Sequence, residues 1–299
     1  MVRCPPQSFF LVSAVFHYLG PSFAVLLFTR VDVLGVTWLR IAGAGAVFAL
    51  WRRPWRLLVA LDTPARLSLM RFGVVLAGMN SLFYLAIDRL PLSTVGAIEF
   101  LGVVGLAALG ARTGRNAAAL VLTTAGVATL ADVRLVAEPL GFGLALANCA
   151  LFVVYVILGH RIANNGIDRP AAGRPAGGPM NGIDQLAAAM LVAAVVVTPI
   201  GLVAALPAFT HPGLLLAGLG VAVCSSVIPY VADQMAMARL ALGSVALMLA
   251  LLPMFATVIG AVVLHQIPTG QDMVGVALVA SGVALHRAQP PKQHAAVSG

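Results

Sequence analysis

Long apolar runs, separated by short polar segments, dominate this sequence. A helix that crosses a membrane needs about 20 mostly apolar residues, whereas a transmembrane β-strand alternates apolar and polar residues over about 10. The runs here are continuous, which predicts helices. Hydrophobic residues make up 61% of the chain and charged residues only 9%. Because a soluble domain carries about 25% charged residues, we expect an all-α integral membrane protein.

The apolar runs predict ten transmembrane helices joined by short connections. A longer polar segment, 161–184, is rich in Gly, Pro, Asn and Arg and predicts a flexible linker, and a polar tail occupies 288–299. The ten predicted spans are 8–29, 34–51, 71–88, 92–111, 116–132, 140–160, 185–206, 213–234, 243–264 and 270–287.

Basic residues are concentrated in alternate polar segments. If the N-terminus lies in the cytoplasm, fourteen of the 18 Lys and Arg residues fall in cytoplasmic segments, three fall on the opposite side, and Arg40 lies within a span. Positively charged loops usually face the cytoplasm. We therefore predict a multi-pass protein of the plasma (inner) membrane with both termini and the linker in the cytoplasm. The net charge of +8 then faces anionic lipid headgroups, and no nucleic-acid partner is expected.

Short matches between the two halves indicate an internal repeat. Residues 86–95 match residues 236–245 at an offset of 150 with five identities in ten, and residues 126–128 match residues 282–284. The repeat unit is therefore five spans, and because five is odd, the two copies cross the membrane in opposite senses. Inverted repeats are a signature of secondary transporters, whose substrate site lies near the midplane between the halves.

The repeat predicts a division of the chain into two halves of five helices each. The repeat units are about 8–132 and 140–287, so the sixth helix opens the second repeat but precedes the linker. In chain order, the predicted parts are 1–160 (the first repeat with that sixth helix), the linker 161–184, the remainder of the second repeat at 185–287, and the cytoplasmic tail 288–299.

Several stretches of the sequence carry motifs of one known family. They are Gly35-Val-Thr-Trp-Leu-Arg40 with Pro54-Trp-Arg56, Gly78-Met-Asn-Ser-Leu-Phe-Tyr-Leu-Ala-Ile87, Ala97-Ile-Glu-Phe-Leu-Gly102, residues 155–161, and Ser225-Ser-Val-Ile-Pro-Tyr230 through Asp233 to Arg239-Leu240. These stretches resemble the EamA-type branch of the drug/metabolite transporter (DMT) superfamily, which includes the threonine/homoserine exporters. The resemblance covers about 20–287 apart from the linker. It implies ten helices, both termini inside, and export of amino acids or related small metabolites.

The sequence departs from the family's pattern mostly where the family has polar or conformationally special residues. The departures are Phe152 in place of Trp, Val103 in place of Pro, Leu252-Pro253 in place of Glu-Pro, and Leu264-His-Gln266 in place of Leu-Gly-Glu.

Glu99 is the outstanding candidate for function. It lies about seven residues into the fourth span, roughly 10 Å from its start at 1.5 Å per residue, and therefore near the middle of the membrane. An ionisable group in hydrocarbon costs about 2.5 kcal/mol or more, so it normally faces a cavity or a partner. We expect a proton site or a partner for a substrate ammonium, and the alternative is a structural ion pair or hydrogen bond between helices.

Three further ionisable residues lie within or beside spans. Arg40 pairs with Glu99, binds a substrate carboxylate through its fork of donors, or snorkels outward. Asp233, near the end of the eighth span, is a candidate for a gate or for coupling, with an interfacial cap as the alternative. His17 in the first span is a weaker candidate for the same roles, because a lone histidine in a span more often packs than relays protons.

Uncharged polar and aromatic side chains share helix faces with these groups and predict a pocket. The alternative is that they are hydrogen-bonding glue between helices, worth about 0.6 kcal/mol each. Pro229 in the eighth span is expected to loosen that helix and to free a carbonyl. The predicted pocket residues are Asn80 and Tyr84 in the third span, Asn148, Phe152 and Tyr155 in the sixth, and Ser225, Ser226 and Tyr230 in the eighth.

Signatures of enzymes are missing from the sequence, including Walker A, His-Glu-x-x-His, Gly-x-Ser-x-Gly and Cys-x-x-Cys motifs. We therefore expect no catalytic residues, no metal site and no cofactor, and transport driven by proton antiport or by substrate exchange. The partners expected are a small-molecule substrate, the lipid bilayer and the proton. A multidrug or other metabolite carrier of the same fold is one alternative, and a membrane-embedded enzyme or a non-transporting scaffold is another.

Overall fold

A computed structural model of the chain describes residues 6–110, 113–165, 182–238 and 252–285. Within these ranges nearly all residues are helical and no β-strand occurs, so the all-α prediction is confirmed for this part of the chain. Most of the predicted linker, the tail 288–299 and the first part of the ninth span lie outside the described residues.

The helices follow the predicted apolar runs. A π-helical turn, Val223–Val227, joins two of them into one continuous segment. In chain order they are α1 (Pro6–Leu27), α2 (Val33–Arg52), α3 (Trp55–Ala60), α4 (Thr63–Ile87), α5 (Leu92–Gly110), α6 (Gly114–Ala137), α7 (Pro139–Asn165), α8 (Gly182–Phe209), α9 (Pro212–Ala222), α10 (Ile228–Met237), α11 (Leu252–Leu264) and α12 (Gly270–Leu285).

Some helix ends differ from the prediction because capping signals outweigh the apolar pattern. Helix α4 begins at Thr63 rather than at residue 71, because the Asp62 carboxylate accepts a hydrogen bond from the Ala65 amide (3.2 Å) and a proline lies in the first turn. The short helix α3 was not predicted. Helices α7 and α8 extend into the segment 161–184 from both sides, so any linker between them is confined to 166–181.

Within the described residues, five helical segments are long and apolar enough to cross a membrane. Shorter apolar helices cover Leu11–Leu27 and Phe255–Leu264. Many large apolar side chains point away from the bundle, such as Ile200 (67% exposed) and Leu216 (71% exposed), as expected for a surface that lipid covers. The five segments are Val33–Arg52, Thr63–Ile87, Pro139–Ile162, Gly182–Phe209 and Pro212–Met237.

Helices α2 and α8 pack antiparallel at close range along their whole length. A Cβ atom at Gly35 would lie 2.4 Å from the Ala204 carbonyl oxygen, and one at Gly201 would lie 2.5 Å from the Trp38 Cβ. At the other end of the pair, Arg52 Nε and Asp184 Oδ1 form an ion pair of 2.6 Å. We call this end of the bundle, where α2 ends and α8 begins, the arginine-rich end.

Helices α6 and α12 form a second antiparallel pair, and glycines permit the approach from both sides. A Cβ atom at Gly126 of α6 would lie 2.6 Å from the Gly275 carbonyl oxygen, and one at Gly282 of α12 would lie 2.4 Å from Thr123 Oγ1. Gly126 and Gly282 are also the residues that the predicted repeat aligns with each other.

The remaining helices enclose the centre of the bundle between these two pairs. Helix α4 packs against α7 and α8, whereas α1 packs against α10, the π turn and α11. Helix α5 packs against α6, α7 and α11, and α9 packs against α2. The centre is therefore lined mainly by α1, α2, α4, α5, α7 and α10.

Candidate functional site

Glu99 lies in the interior of the bundle, where α5 meets α7. Its side chain is only 2% exposed, and its Oε1 accepts a hydrogen bond of 3.0 Å from Asn148 Nδ2. The two helices approach closely because Gly102, one turn further along α5, leaves room for Val153 and Cys149 of α7. Asn148 therefore fixes one oxygen of the Glu99 carboxylate.

The other Glu99 oxygen, Oε2, is buried and has no hydrogen-bond partner in the described part of the chain. The Tyr18 hydroxyl of α1 lies near enough to interact electrostatically with the Glu99 carboxylate, but it does not meet the geometry of a hydrogen bond. The Asn148 Oδ1 atom is also buried without a partner. Each member of the Glu99–Asn148 pair thus has one acceptor without a partner in the described residues.

Arg40 is held from two sides in the interior. Its Nε donates to Ser226 Oγ (2.9 Å) and its Nη2 donates to the Ser225 carbonyl (2.8 Å). That carbonyl cannot make its usual helical hydrogen bond because Pro229, four residues later, has no N–H, as the sequence predicts. The guanidinium carbon lies 4.9 Å from the centre of the Tyr84 ring, in a cation–π contact.

The burial and the ion-pair partners of Arg40 bear on two of the roles considered for it. The side chain is 3% exposed, so it does not snorkel to the surface. Among the described residues it forms no ion pair within 4 Å with Glu99; the ion pair found is Arg52–Asp184. Its Nη1 atom is buried without a partner, so Arg40 presents one free donor toward the centre.

Arg40 and Glu99 line the same small cavity, which we call the central cavity. Its volume, counted as the space open to the centre of a water molecule, is about 10 Å³, which is room for about one water. The Tyr230 hydroxyl donates to Asn80 Oδ1 (2.9 Å) at its wall. The lining residues are His17, Pro21, Arg40, Met79, Asn80, Phe83, Glu99 and Tyr230.

His17 contributes an unpartnered polar atom to this site, its Nδ1, considering the residues that the structure describes. Its ring packs edge-on against Tyr18 and Phe152, with ring centres 5.5 and 6.2 Å apart. The histidine is therefore both packed and in contact with the cavity.

An aromatic cluster of Phe72, Phe152, Tyr155 and Tyr230 lies between the central cavity and the arginine-rich end. Tyr155 is at its middle, with ring centres 5.7 Å from Phe72, 5.8 Å from Phe152 and 5.6 Å from Tyr230. This cluster fills the centre of the bundle on that side of the cavity.

Asp233 lies beside the aromatic cluster and not at an exposed helix end. It is 4% exposed, so its side chain is enclosed by neighbouring helices. Its carboxylate accepts a hydrogen bond from the Ser13 hydroxyl of α1, and the Tyr155 hydroxyl of α7 is a further polar neighbour that does not meet the geometry of a hydrogen bond. Asp233 does not line the central cavity.

The structure sorts the predicted site residues into three groups. Glu99, Asn80, Tyr230, Arg40 and His17 line the cavity. Asn148 supports Glu99, and Ser225, Ser226 and Tyr84 support Arg40. Phe152 and Tyr155 belong to the aromatic cluster, and Asp233 lies beside it.

Two polar contributors from α1, Tyr18 and Ser13, were missed from the sequence. Ser13 lies four residues before His17 and so shares its face of the helix. Following the polar face of α1 from His17 would have found Ser13. Tyr18 is adjacent to His17 in the sequence and offered no separate signal.

Buried charged and polar side chains from several apolar helices, converging on a central cavity, define a membrane transporter. The model of the EamA-like transporter family matches residues 172–287. The threonine/homoserine exporter RhtA of Salmonella typhimurium (strain LT2) is 32% identical over 264 residues, covering 87% of this chain and 83% of that protein. RhtA of Escherichia coli K12 is 32% identical over 267 residues, covering 88% and 83%. The chain therefore belongs to the EamA-like transporter family, and the resemblance drawn from its motifs is confirmed.

A solved structure gives the fold independent support. The crystal structure of another protein superposes with a TM-score of 0.60, covering 94% of this chain and 98% of that chain, at 18% sequence identity. At this identity the likeness concerns the fold alone. The family assignment makes the protein a multi-pass membrane transporter and not an enzyme.

Proposed function

We propose that the protein is a secondary active exporter of small amino acids such as threonine and homoserine, driven by proton antiport or by substrate exchange. The observation that carries the proposal is the pair of free atoms at the central cavity, Arg40 Nη1 and Glu99 Oε2. An α-amino acid at neutral pH carries a carboxylate and an ammonium a few bonds apart. The cavity offers one partner for each.

The carboxylate end of the substrate fits Arg40. A guanidinium that is already oriented by Ser226 and the Ser225 carbonyl loses little freedom when it binds a carboxylate. The burial of Arg40 also strengthens the attraction, because little water screens it.

The ammonium end fits Glu99 and its neighbour. Glu99 Oε2 and Asn148 Oδ1 are both acceptors without partners in the described residues, and an ammonium has three donors. Glu99 as the coupling-proton site is the alternative assignment, since burial away from water favours a neutral carboxyl group. The names of the relatives, which are threonine/homoserine exporters, support an amino-acid substrate.

The size of the cavity indicates that binding requires helix movement. A space for about one water is too small for an amino acid. We propose that this conformation is a closed one, and that the helices around the cavity separate to admit substrate from one side of the membrane at a time, as alternating access requires.

We propose the ten-span, inverted-repeat architecture on the symmetry of the helix contacts. In the two predicted halves, α1 corresponds to α7, α2 to α8, α4 to the continuous segment of α9 and α10, and α5 to α11. The contacts α4–α7, α4–α8 and α5–α7 therefore correspond to α10–α1, α9–α2 and α11–α1, and all of these contacts occur. In the pairs α2–α8 and α6–α12, the two helices in contact are each other's counterparts in the two halves. Asn80 and Tyr230, equivalent at the offset of 150, hydrogen-bond to each other, as residues near a two-fold axis do.

The proposed orientation places both termini and the segment 166–181 in the cytoplasm of the inner membrane. Peptide tags at these three positions should then be inaccessible from outside intact cells, while a cysteine introduced at His211, between α8 and α9, should react with an impermeant maleimide. Labelling of the 166–181 segment from outside would overturn the antiparallel arrangement of the halves.

The direct test of function is a charge-dissection assay in proteoliposomes. We expect flux of L-threonine and L-homoserine, with competition by neither threonine methyl ester, which lacks the carboxylate, nor 2,3-dihydroxybutyrate, which lacks the ammonium. Flux measured with and without an imposed pH gradient separates antiport from exchange. Competition by either analogue as strong as competition by threonine itself would contradict the two-charge site. Absence of flux for every amino acid, together with flux of a drug or another metabolite, would favour the alternative, a multidrug or other metabolite carrier of the same fold.

A further inference from the structure

A second cavity lies at the end of the bundle opposite the arginine-rich end, where α5 begins, α11 ends and α12 begins. Helix α4 starts at the arginine-rich end, so its last residues and the start of α5 lie at the opposite end. The volume of this cavity, counted in the same way as for the central cavity, is about 190 Å³. We call it the distal cavity, and its lining residues include Pro91, Ser93, Thr257, Gln266, Pro268 and Asp272.

The distal cavity has the size of a small amino acid and is open at the surface. Pockets of about 300–1,000 Å³ hold drug-sized ligands, and threonine is several times smaller than such a ligand. Ile267, which lines the cavity, is 90% exposed. A small molecule can therefore enter or leave this cavity without the helix movement that the central cavity requires.

Two side chains that line the distal cavity retain polar atoms for a ligand. Asp272 Oδ2 accepts hydrogen bonds from the amide and the hydroxyl of Thr269 (2.9 and 2.8 Å), and Oδ1 accepts none within the described residues. Gln266 Oε1 accepts from the Leu92 amide (3.3 Å), and Nε2 donates to no group in that part of the chain. The cavity thus offers a carboxylate oxygen for an ammonium and an amide donor for a carboxylate.

Helix α5 runs from the distal cavity to the central cavity. Ser93 lines the distal cavity and Glu99 lines the central one, with Gly96 halfway between them. Because the three residues follow at intervals of three, they occupy neighbouring positions on one side of the helix. Along the helix axis, Ser93 and Glu99 are about 9 Å apart at 1.5 Å per residue.

The Tyr18 side chain of α1 closes the space between the two cavities. A Cβ atom at Gly96 would lie 2.8 Å from the Tyr18 hydroxyl oxygen and 3.1 Å from the Ala256 Cβ of α11. Tyr18 and Ala256 are both fully buried. Thr257, next to Ala256, lines the distal cavity, whereas the Tyr18 hydroxyl interacts electrostatically with Glu99 of the central cavity. Tyr18 therefore stands on the route from one cavity to the other.

Helix α1 has a weak point beside Tyr18. Pro21 lies inside the helix, and it has no N–H to donate to the His17 carbonyl four residues earlier. Helices bend at such positions. The Tyr18 hydroxyl has no hydrogen-bond partner among the described residues, so no hydrogen bond from it opposes the movement. A bend of α1 at Pro21 would carry the ring away from Gly96.

We propose that the distal cavity is an exit site that binds the exported amino acid after it leaves the central cavity, and that Tyr18 is the gate between the two sites. This inference rests on the proposed function and deepens it, since it assigns a second site to the same substrate. In the proposed orientation the distal cavity faces the outside. When α1 bends, the amino acid moves along α5, and its ammonium exchanges the Glu99 carboxylate for that of Asp272. An ion pair within reach of water is weak, which suits a site that releases substrate.

The first test measures threonine–threonine exchange in right-side-out membrane vesicles that contain Asp272→Asn. Asparagine keeps an acceptor for Thr269 but removes the negative charge. We expect the half-saturating threonine concentration on the outside to rise about three- to fivefold, as for the loss of an ion pair that water reaches. The half-saturating concentration on the inside should stay at the wild-type value. A change of equal size on both sides, or no change on either side, would overturn the exit site.

Asp88→Asn is the matched control for this test, because Asp88 is exposed and lies at the same end of the bundle, where α4 ends. It should leave both half-saturating concentrations unchanged. An outside value that rises equally in Asp88→Asn and Asp272→Asn would reflect surface charge alone and would also overturn the exit site.

The second test concerns the gate and does not need threonine. Met79 lines the central cavity, so Met79→Cys places a thiol there. An impermeant methanethiosulfonate is added outside intact cells, and mass spectrometry follows its adduct at residue 79. Added Tyr18→Ala should speed this labelling by about tenfold or more, because a large buried side chain no longer closes the route. Added Tyr18→Phe keeps the ring and should leave the labelling slow, and equal rates in the two would overturn the gate.

A milder variant tests the gate while keeping the Tyr18 side chain. In Gly96→Ala the new methyl group would lie 2.8 Å from the Tyr18 hydroxyl oxygen, so we expect the ring to be displaced and labelling at residue 79 to become faster. Tyr18→Phe removes that oxygen and should restore slow labelling. Gly105→Ala on the same helix is the control, because no atom lies within 4 Å of its Cβ position. Equal rates in Gly96→Ala and Gly105→Ala would contradict the gate.

The two tests separate this inference from the proposed function. A wild-type protein without threonine flux would refute the proposed substrate and with it the exit site for threonine, whereas the labelling would still decide whether Tyr18 closes the route. Threonine flux with wild-type values in Asp272→Asn would leave the proposed function standing and remove the exit site.

Discussion

The two buried carboxylates, Glu99 and Asp233, differ in what surrounds them. Glu99 is held by an amide, has one free oxygen and shares a cavity with a free guanidinium nitrogen. Asp233 accepts a hydrogen bond from Ser13, does not line the central cavity, and has no arginine within 4 Å among the described residues. The two acidic residues therefore differ in the polar groups that hold them and in their access to the central cavity.

The largest effect that tests this comparison is expected for Glu99→Gln. Glutamine keeps the volume and the acceptor for Asn148 but cannot neutralise an ammonium, so threonine binding and flux should be lost. Because no arginine is paired with Glu99 within 4 Å, the thermal stability should stay close to that of wild type. Flux assays and thermal unfolding in detergent measure the two quantities.

Glu138→Gln, at the start of α7, is the matched control and should leave both flux and stability unchanged. A Glu99→Gln variant that binds threonine normally but loses gradient-driven flux would favour the alternative, Glu99 as the coupling-proton site. A large loss of stability that Arg40→Gln partly restores would instead support a structural pair between them.

A smaller effect is expected for Arg40→Lys, which keeps the positive charge. Lysine cannot contact Ser226, the Ser225 carbonyl and a substrate carboxylate at once with its compact ammonium. We expect the affinity for threonine to fall about tenfold or more, and the stability to fall by about 1–3 kcal/mol because buried hydrogen bonds are lost. The exposed Arg30→Lys serves as control, and equal affinity in Arg40→Lys and wild type would exclude Arg40 from carboxylate binding.

Asn148→Leu removes the amide that orients Glu99 and fills its volume with apolar atoms. A hydrogen bond to a charged group is worth about 1.5–3 kcal/mol, so threonine affinity should fall by about tenfold or somewhat more. Equal threonine affinity in Asn148→Leu and wild type would contradict a role of Asn148 in orienting Glu99 for the substrate.

The smallest effect is expected far from both carboxylates, at His265. This residue adopts a left-handed conformation (φ 53°) at the end of α11, and the following Gln266 amide donates to the Gly260 carbonyl (3.1 Å), which is the helix-ending motif that favours glycine. His265→Gly should raise the free energy of unfolding by about 1 kcal/mol without changing threonine flux. Destabilisation would show that the histidine side chain makes contacts that outweigh its backbone cost.

Much of the fold could be predicted from the sequence because lipid imposes a simple rule on long apolar segments. The positions of the helices follow from that rule alone. The errors, such as the start of α4 at Thr63 and the continuation of α7 to Asn165, occur where a cap or a polar surface extends a helix beyond its apolar part. Hydropathy does not register these residues, although Asp62 and the proline after it were readable signals.

The site residues could be recognised singly but not as partners. Glu99 and Arg40 stood out because charge is costly in hydrocarbon, and Pro229 predicted a freed carbonyl. That Arg40 would donate to the freed carbonyl of Ser225 depends on the approach of α2 to the π turn, which no spacing within one helix specifies.

The sequence by itself therefore determined which segments are helices, which residues carry buried charge and polarity, and which family the chain resembles, because these depend on local composition and on short motifs. Only the tertiary structure decided that Arg40 and Glu99 share a cavity without pairing, that Asn148 supports Glu99, and that Asp233 is buried against Ser13 and Tyr155. The physical reason is that burial drives helices together non-specifically, whereas the partner of each polar atom is fixed by how glycines and aromatic rings allow particular helices to approach.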